Sequence, residues 1–154
     1  QILKFLGDGF LATFDLSLRD RKAVCIDAVN AAGQLLENFP RFNAERRTAG
    51  KRTLDFGVAL HLGEVLYGNI GTTDRLDFTV VGSAVNEASR IAAMCRSVDQ
   101  PILTSSAFAD VGDMKRRLVP VGRYALRGVA RPQELFTLDP TARGVQTTAK
   151  RGHP

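Results

Sequence analysis

The first fifteen residues, QILKFLGDGFLATFD, form two short β-rich runs around Gly7-Asp8-Gly9. An Asp-Gly pair between such runs is a strong local hairpin signal, so a β-hairpin is expected. From Asp20 to Asn38 the spacing becomes helical: Val24, Cys25, Ala28, Val29, Ala32, Leu35, Leu36 and Phe39 share one stripe, and Pro40 is expected to close the helix. The stretch TLDFGVALHLGEVLYGNIG reads as a largely apolar strand, a turn near Gly63-Glu64 and a second strand. Residues 76–81 form a short strand that ends at a Gly-Ser corner, where a second helix begins with Ser83 in the N-cap position. PILTS is a further strand, Ser105 caps a short helix, and strands are expected near 117–126 and 133–138. No internal repeat or low-complexity segment breaks the series. Strands alternating with helices, with hairpins among them, indicate a mixed-sheet α/β or α+β sandwich.

With 154 residues, the chain has room for one sizeable core rather than two. Its content of 44% hydrophobic and 24% charged residues is that of an ordinary soluble globular protein. No apolar run approaches the ~20 residues of a membrane span, and no secretory signal opens the chain. It begins on Gln1 and reads as a piece of something longer.

The net charge of +5 raises the question of a polyanion partner. Much of it sits in RFNAERRTAGKR, Arg41 to Arg52, and in the tail ARGVQTTAKRGHP. Both read as loop-like, and neither interleaves aromatics as single-strand binders do. A solvated loop and a frayed basic terminus account for them, so neither nucleic-acid binding nor membrane contact is expected of this segment. Cys25 and Cys95 lie on apolar helical faces without CxxC spacing or a His cluster, which argues against zinc and against a disulfide framework. They read as buried, reduced and structural, in keeping with a cytoplasmic setting.

Four places could carry chemistry. Asp8 sits at a tight turn between glycines, where its carboxylate would project from a sheet edge and could hold Mg²⁺; taken alone, Asp-Gly turn chemistry is the simpler account of it. Lys4, between Leu3 and Phe5, reads by itself as a solvent-facing strand lysine. Asn86 and Arg90 stand one turn apart on one helix face near the positive end of the helix. Arginine there suits phosphate, through its fixed fork of donors. Arg90 paired with Glu87 or Asp77 on the surface is the alternative. His61, inside GVALHLGEV, reads as a satisfied interior histidine.

The blocks LKFLGDGFLATF, FGVALHLGEVLYGNIG, LDFTVVGSAVNEASRI and LRGVARPQELFTL resemble, in order and approximate spacing, the catalytic domain of class III nucleotidyl cyclases. The resemblance covers about residues 1–138 and leaves 139–154 as a basic, disordered tail. It implies an α+β sandwich derived from a ferredoxin-like βαββαβ mixed sheet flanked by helices. The implied activity is adenylate cyclase: ATP to 3′,5′-cyclic AMP and pyrophosphate, in intracellular signalling, with two Mg²⁺ or Mn²⁺ ions per site.

Residue by residue, Asp8 matches the family's second metal-binding aspartate, and Lys4 and Thr79 match the pair that reads the purine edge. Asn86 matches the residue that orients the ribose, and Arg90 the one that stabilises charge on the α-phosphate. Arg127 stands where the family usually has a lysine contacting the terminal phosphates. Lys4 rather than an acidic residue favours adenine, because lysine only donates and adenine N1 accepts. The resemblance also implies a head-to-tail homodimer with sites shared between chains.

Three features depart from the family pattern. Its first metal aspartate lies in a strand upstream of the hairpin, so the domain is expected to lack its first strand and helix here, with little activity from the fragment alone. Arg127 replaces a lysine, and Glu87 replaces the apolar residue common after the Asn. An inactive homology domain used for nucleotide binding or dimerisation is one rival reading, and guanylate cyclase is another. A diguanylate cyclase is disfavoured, since the turn LGDGF lacks that family's Gly-Gly-acidic motif.

Overall fold

The structure, a computed structural model, describes residues 2–17, 19–72 and 75–141. It opens with the expected hairpin. Strand β1 (Ile2–Leu6) runs antiparallel to β2 (Gly9–Ala12). The turn uses Gly7 at φ +62°, a conformation that costs glycine little.

Helix α1 (Arg21–Thr48) starts at Asp20, whose carboxylate accepts from the Ala23 amide at 3.0 Å. It buries Val24, Cys25, Ala28, Val29 and Ala32. Pro40 does not end it; the helix continues for two more turns. Proline removes one helical hydrogen bond, and local tertiary contacts hold the helix together across it. Phe39 packs on Phe42 and edge-on to Phe56, with ring centroids 5.8 and 4.3 Å apart. Asn43 exchanges two hydrogen bonds with the Leu54 backbone, and Arg46 donates to the Arg52 carbonyl at 2.7 Å. The basic stretch expected to be a loop is therefore helical through Thr48, with residues 51–56 strapped back along it.

Strands β3 (Val58–Leu60), β6 (Ile102–Ser105), β8 (Gln133–Leu138) and β7 (Leu118–Tyr124) form one mixed sheet in the order β3-β6-β8-β7. The β3–β6 pair is parallel and the other two are antiparallel. Strands β4 (Leu66–Thr72) and β5 (Arg75–Val81) pair with each other as a separate antiparallel ribbon. Helix α2 (Ser83–Ser97) follows β5, and the short α3 (Ser106–Ala109) follows β6. The expected cap of α3 is present: the Ser105 hydroxyl accepts from the Phe108 amide at 3.2 Å.

Both faces of the four-stranded sheet are covered, which explains why all four residues of β6 are buried. Alternation along the strands sorts the core into two layers. Ile102, Phe136 and Leu138 face α1 and α3, together with Cys25, Phe108 and Met114. Leu103 and Leu135 face α2, with Ile91, Cys95 and Leu126. Cys25 and Cys95 are free and buried as expected, and burial pushes both thiols up. No described helix is long and apolar enough to cross a membrane. Residues 142–154, most of the expected tail, lie outside the described residues.

Candidate active site

The expected site residues fall into two groups. Lys4, Asp8 and Thr79 lie on the two hairpins. Lys4 is an exposed residue of β1 opposite Leu11, and Asp8 is exposed at the turn. Thr79 lies in β5 opposite Gly68, its side chain outside what is described. Strand β1 packs against β5, so the strands of Lys4 and Thr79 are neighbours.

The second group is Asn86, Arg90 and Arg127. Helix α2 packs on β3 and β6 through Ala84, Ile91 and Cys95, which turns exposed Asn86 and half-buried Arg90 outward. Ser83 is not the N-cap. Gly82 takes that position at φ 151°, where a Cβ would stand 3.1 Å from the Glu64 carbonyl oxygen. Only glycine makes this turn cheaply, and it leaves the first amides of α2 without a side-chain cap.

Arg90 rests against the turn after β7. Its Nη2 lies 3.1 Å from where a Cβ on Gly128 would be. Gly128, at φ +72°, follows Arg127, and buried Leu126 anchors the turn beneath. The fold thus brings Arg90 beside the Arg127-Gly128 turn, although the two arginines are distant in sequence. Among the described residues no ion pair engages either one. Glu87, the partner considered for Arg90, instead faces His61 at 3.9 Å.

His61 is the interior histidine expected. Its side chain is 8% exposed, and its Nδ1 lies 2.9 Å from the Ser105 hydroxyl. Burial lowers its pKa below the usual histidine value, and the Glu87 carboxylate opposes that shift. His61, Glu64, Ser83, Glu87, Asp110 and Gln133 line an open cavity of about 630 Å³. Sequence reasoning missed the pairing of Glu87 with His61 and the seat of Arg90 on Gly128. The one local signal was the glycine after Arg127 in LRGV.

Asp8 supplies a single hard oxygen donor, and among the described residues no three His, Cys, Asp or Glu side chains cluster as a metal site. One carboxylate at an exposed turn fits a divalent ion whose other ligands include substrate phosphates, since Mg²⁺ is commonly held that way.

Comparison with known proteins identifies the family of the chain. The family model for the adenylate and guanylate cyclase catalytic domain matches residues 2–140. An adenylate cyclase of Anabaena cylindrica is 34% identical over 108 residues, 68% of this chain and 20% of that protein. Adenylate cyclase 1 of Rhizobium meliloti is 27% identical over 148 residues, 96% of this chain and 22% of that protein. The chain thus spans about a fifth of the length of these curated relatives. The solved guanylyl cyclase Cya2 matches at a TM-score of 0.72 and 26% identity, over 91% of this chain and 71% of that one. The adenylyl cyclase CyaB from P. aeruginosa matches in fold at a TM-score of 0.74 and 24% identity, over 90% and 70%.

Proposed function

The chain belongs to the family of adenylate and guanylate cyclase catalytic domains, and we propose that it serves an adenylate cyclase making 3′,5′-cyclic AMP and pyrophosphate from ATP. The observation that carries this reading is the outward face of α2. There Arg90 sits beside the Arg127-Gly128 turn with no acidic partner among the described residues, on a helix whose first amides lack a side-chain cap. Two guanidinium groups and a helix N-terminus suit a polyphosphate.

In the reaction, the ribose 3′-oxygen forms a bond to the α-phosphorus and gives up its proton, while the bond from that phosphorus to the bridging oxygen breaks and pyrophosphate leaves. Asn86 orients the ribose, Arg90 stabilises charge at the α-phosphate, and Arg127 holds the terminal phosphates. Asp8 would hold divalent metal, Mg²⁺ or Mn²⁺, which supplies nucleophile activation and neutralises the leaving group. The protein's own contribution is positioning and fixed charge. Lys4 donates to adenine N1 and Thr79 accepts from N6.

The working form we propose is a homodimer with sites shared between chains. It is supported by the exposed apolar side chains of the hairpins, Ile2, Phe5, Phe10, Leu66 and Tyr67, a surface of the kind that marks interaction sites. The setting consistent with ATP as substrate is cytoplasmic. GTP is the second reading, because Cya2, a guanylyl cyclase by its description, is similar over most of this chain. Turnover of ATP and GTP in the complete domain tests the choice. ATP is expected to be the better substrate, and faster turnover of GTP would overturn the assignment.

A further inference from the structure

The His61–Glu87 pair has no part in the chemistry described so far, yet it lies directly behind the helix turn that carries Asn86. We propose that His61 is a positioning residue for the cyclase reaction, holding the first turns of α2 at the depth and rotation that aim Asn86 and Arg90. This rests on reading α2 as the catalytic helix.

Three elements distant in sequence meet at the His61 ring. Ser105, fully buried at the β6–α3 corner, accepts from the Phe108 amide and lies 2.9 Å from Nδ1. A hydroxyl has one hydrogen to give. In the proposed arrangement Ser105 keeps one lone pair for the amide and gives its hydrogen to Nδ1, which puts the neutral ring's own proton on Nε2. Nε2 faces Glu87 of α2 at 3.9 Å. The order Glu87–His61–Ser105 resembles a hydrolase relay, but Ser105 is sealed from solvent and occupied as a helix cap, so it is no nucleophile.

Successive helix residues are about 100° apart. Holding Glu87 inward therefore turns Asn86 outward, and Arg90 with it one turn later. Apolar packing fixes the later turns of α2 through Ile91 and Cys95, while the first turn has only Ala84. Ala84 approaches Gly63 so closely that a Cβ there would lie 2.6 Å from the Ala84 Cβ and 3.1 Å from His61 Nε2. The close approach that places α2 against His61 thus depends on Gly63. The other charged groups on the cavity are Glu64, between β3 and β4, and Asp110, after α3; Gln133 of β8 is its neutral polar wall. Asp110 is engaged by Lys115 at 2.6 Å.

The test uses His61→Leu, His61→Asn and Glu87→Gln in the complete cyclase protein, with Arg90→Ala as reference. His61→Leu is expected to lower kcat by about tenfold to a hundredfold, the scale of a misplaced catalytic group. KM for the nucleotide should stay within about twofold, because the purine contacts are untouched. His61→Asn, whose Oδ1 can still accept from Ser105, should recover part of the loss. Nitrogen NMR should place the ring proton on Nε2. In Glu87→Gln the acid limb of the pH–rate profile should move to lower pH, since the carboxylate favours the protonated ring. Unchanged kcat in a folded His61→Leu, or a kcat loss that merely tracks melting, overturns the proposal. Should His61→Leu fail to fold, unchanged kcat in His61→Asn with an unmoved pH profile in Glu87→Gln overturns it equally. A parent protein inactive on both ATP and GTP would instead overturn the cyclase reading. An active parent with a dead Arg90→Ala and a normal His61→Leu would overturn only the positioning role.

Discussion

The four-stranded sheet and the two hairpins are both rich in apolar residues, yet they use them in opposite ways. Ile102, Leu103 and Leu135 of the sheet are fully buried between helices, whereas Phe5 and Leu66 of the hairpins are 75% and 73% exposed. The sheet spends its apolar surface on the chain's own core. The hairpins present theirs outward, beside Lys4 and Asp8. The proposed site is divided along the same line, with purine and metal contacts on the exposed hairpins and phosphate contacts on the helix packed against the sheet. That division is what a site completed by a second chain requires.

The largest effects should come from removing one side of the divided site. Asp8→Asn keeps the turn chemistry and loses the charge, and Arg90→Ala removes the guanidinium while its helix stays anchored. Each is expected to lower turnover by about a hundredfold or more, with melting temperature little changed. Mixing Asp8→Ala with Arg90→Ala should restore up to about a quarter of wild-type activity, because half the dimers are then mixed and each holds one intact site. No recovery in a mixture shown to form mixed dimers would place the whole site within one chain.

Next in size, Leu103→Ala should cost about 2–5 kcal/mol of folding stability, as large-to-small changes in packed cores do. Phe5→Ser with Leu66→Ser should change monomer stability by no more than about 0.5 kcal/mol each, as exposed positions usually do. The pair should nevertheless weaken self-association, measurable by sedimentation. A stability loss equal to that of Leu103→Ala would erase the contrast between the regions.

The smallest expected effect concerns the buried side of the comparison. His61 has a folded pKa below its unfolded value of 6.5, so in that window the unfolded chain binds a proton that the folded chain refuses. Stability should therefore fall as pH drops from about 6.5 toward the folded pKa and be fully present above it. His61→Asn should flatten this slope in urea melts, and an unchanged slope would assign it to other groups.

Local chemistry made much of this molecule legible from its residues alone. The Gly7-Asp8 turn, the Ser105 cap and the strands at 102–105, 118–124 and 133–138 depend on neighbours a few positions away, as does the placing of Asn86 and Arg90 on one helix face. The four blocks in register carried the family. Contacts between distant residues decided the rest. Pro40 stays inside α1 because the returning chain braces the helix on both sides of it, Phe56 against Phe39 before it and Leu54 on Asn43 beyond it. Gly82, at φ 151° and close against the Glu64 carbonyl, takes the cap position in place of Ser83. Glu87 turns to His61, and Arg90 to Gly128, because packing α2 on the sheet fixes which way each residue faces. The sequence determines which side chains a turn or helix face presents; only the packed tertiary structure determines what those side chains meet, since such contacts are distant in sequence and have no local period to reveal them.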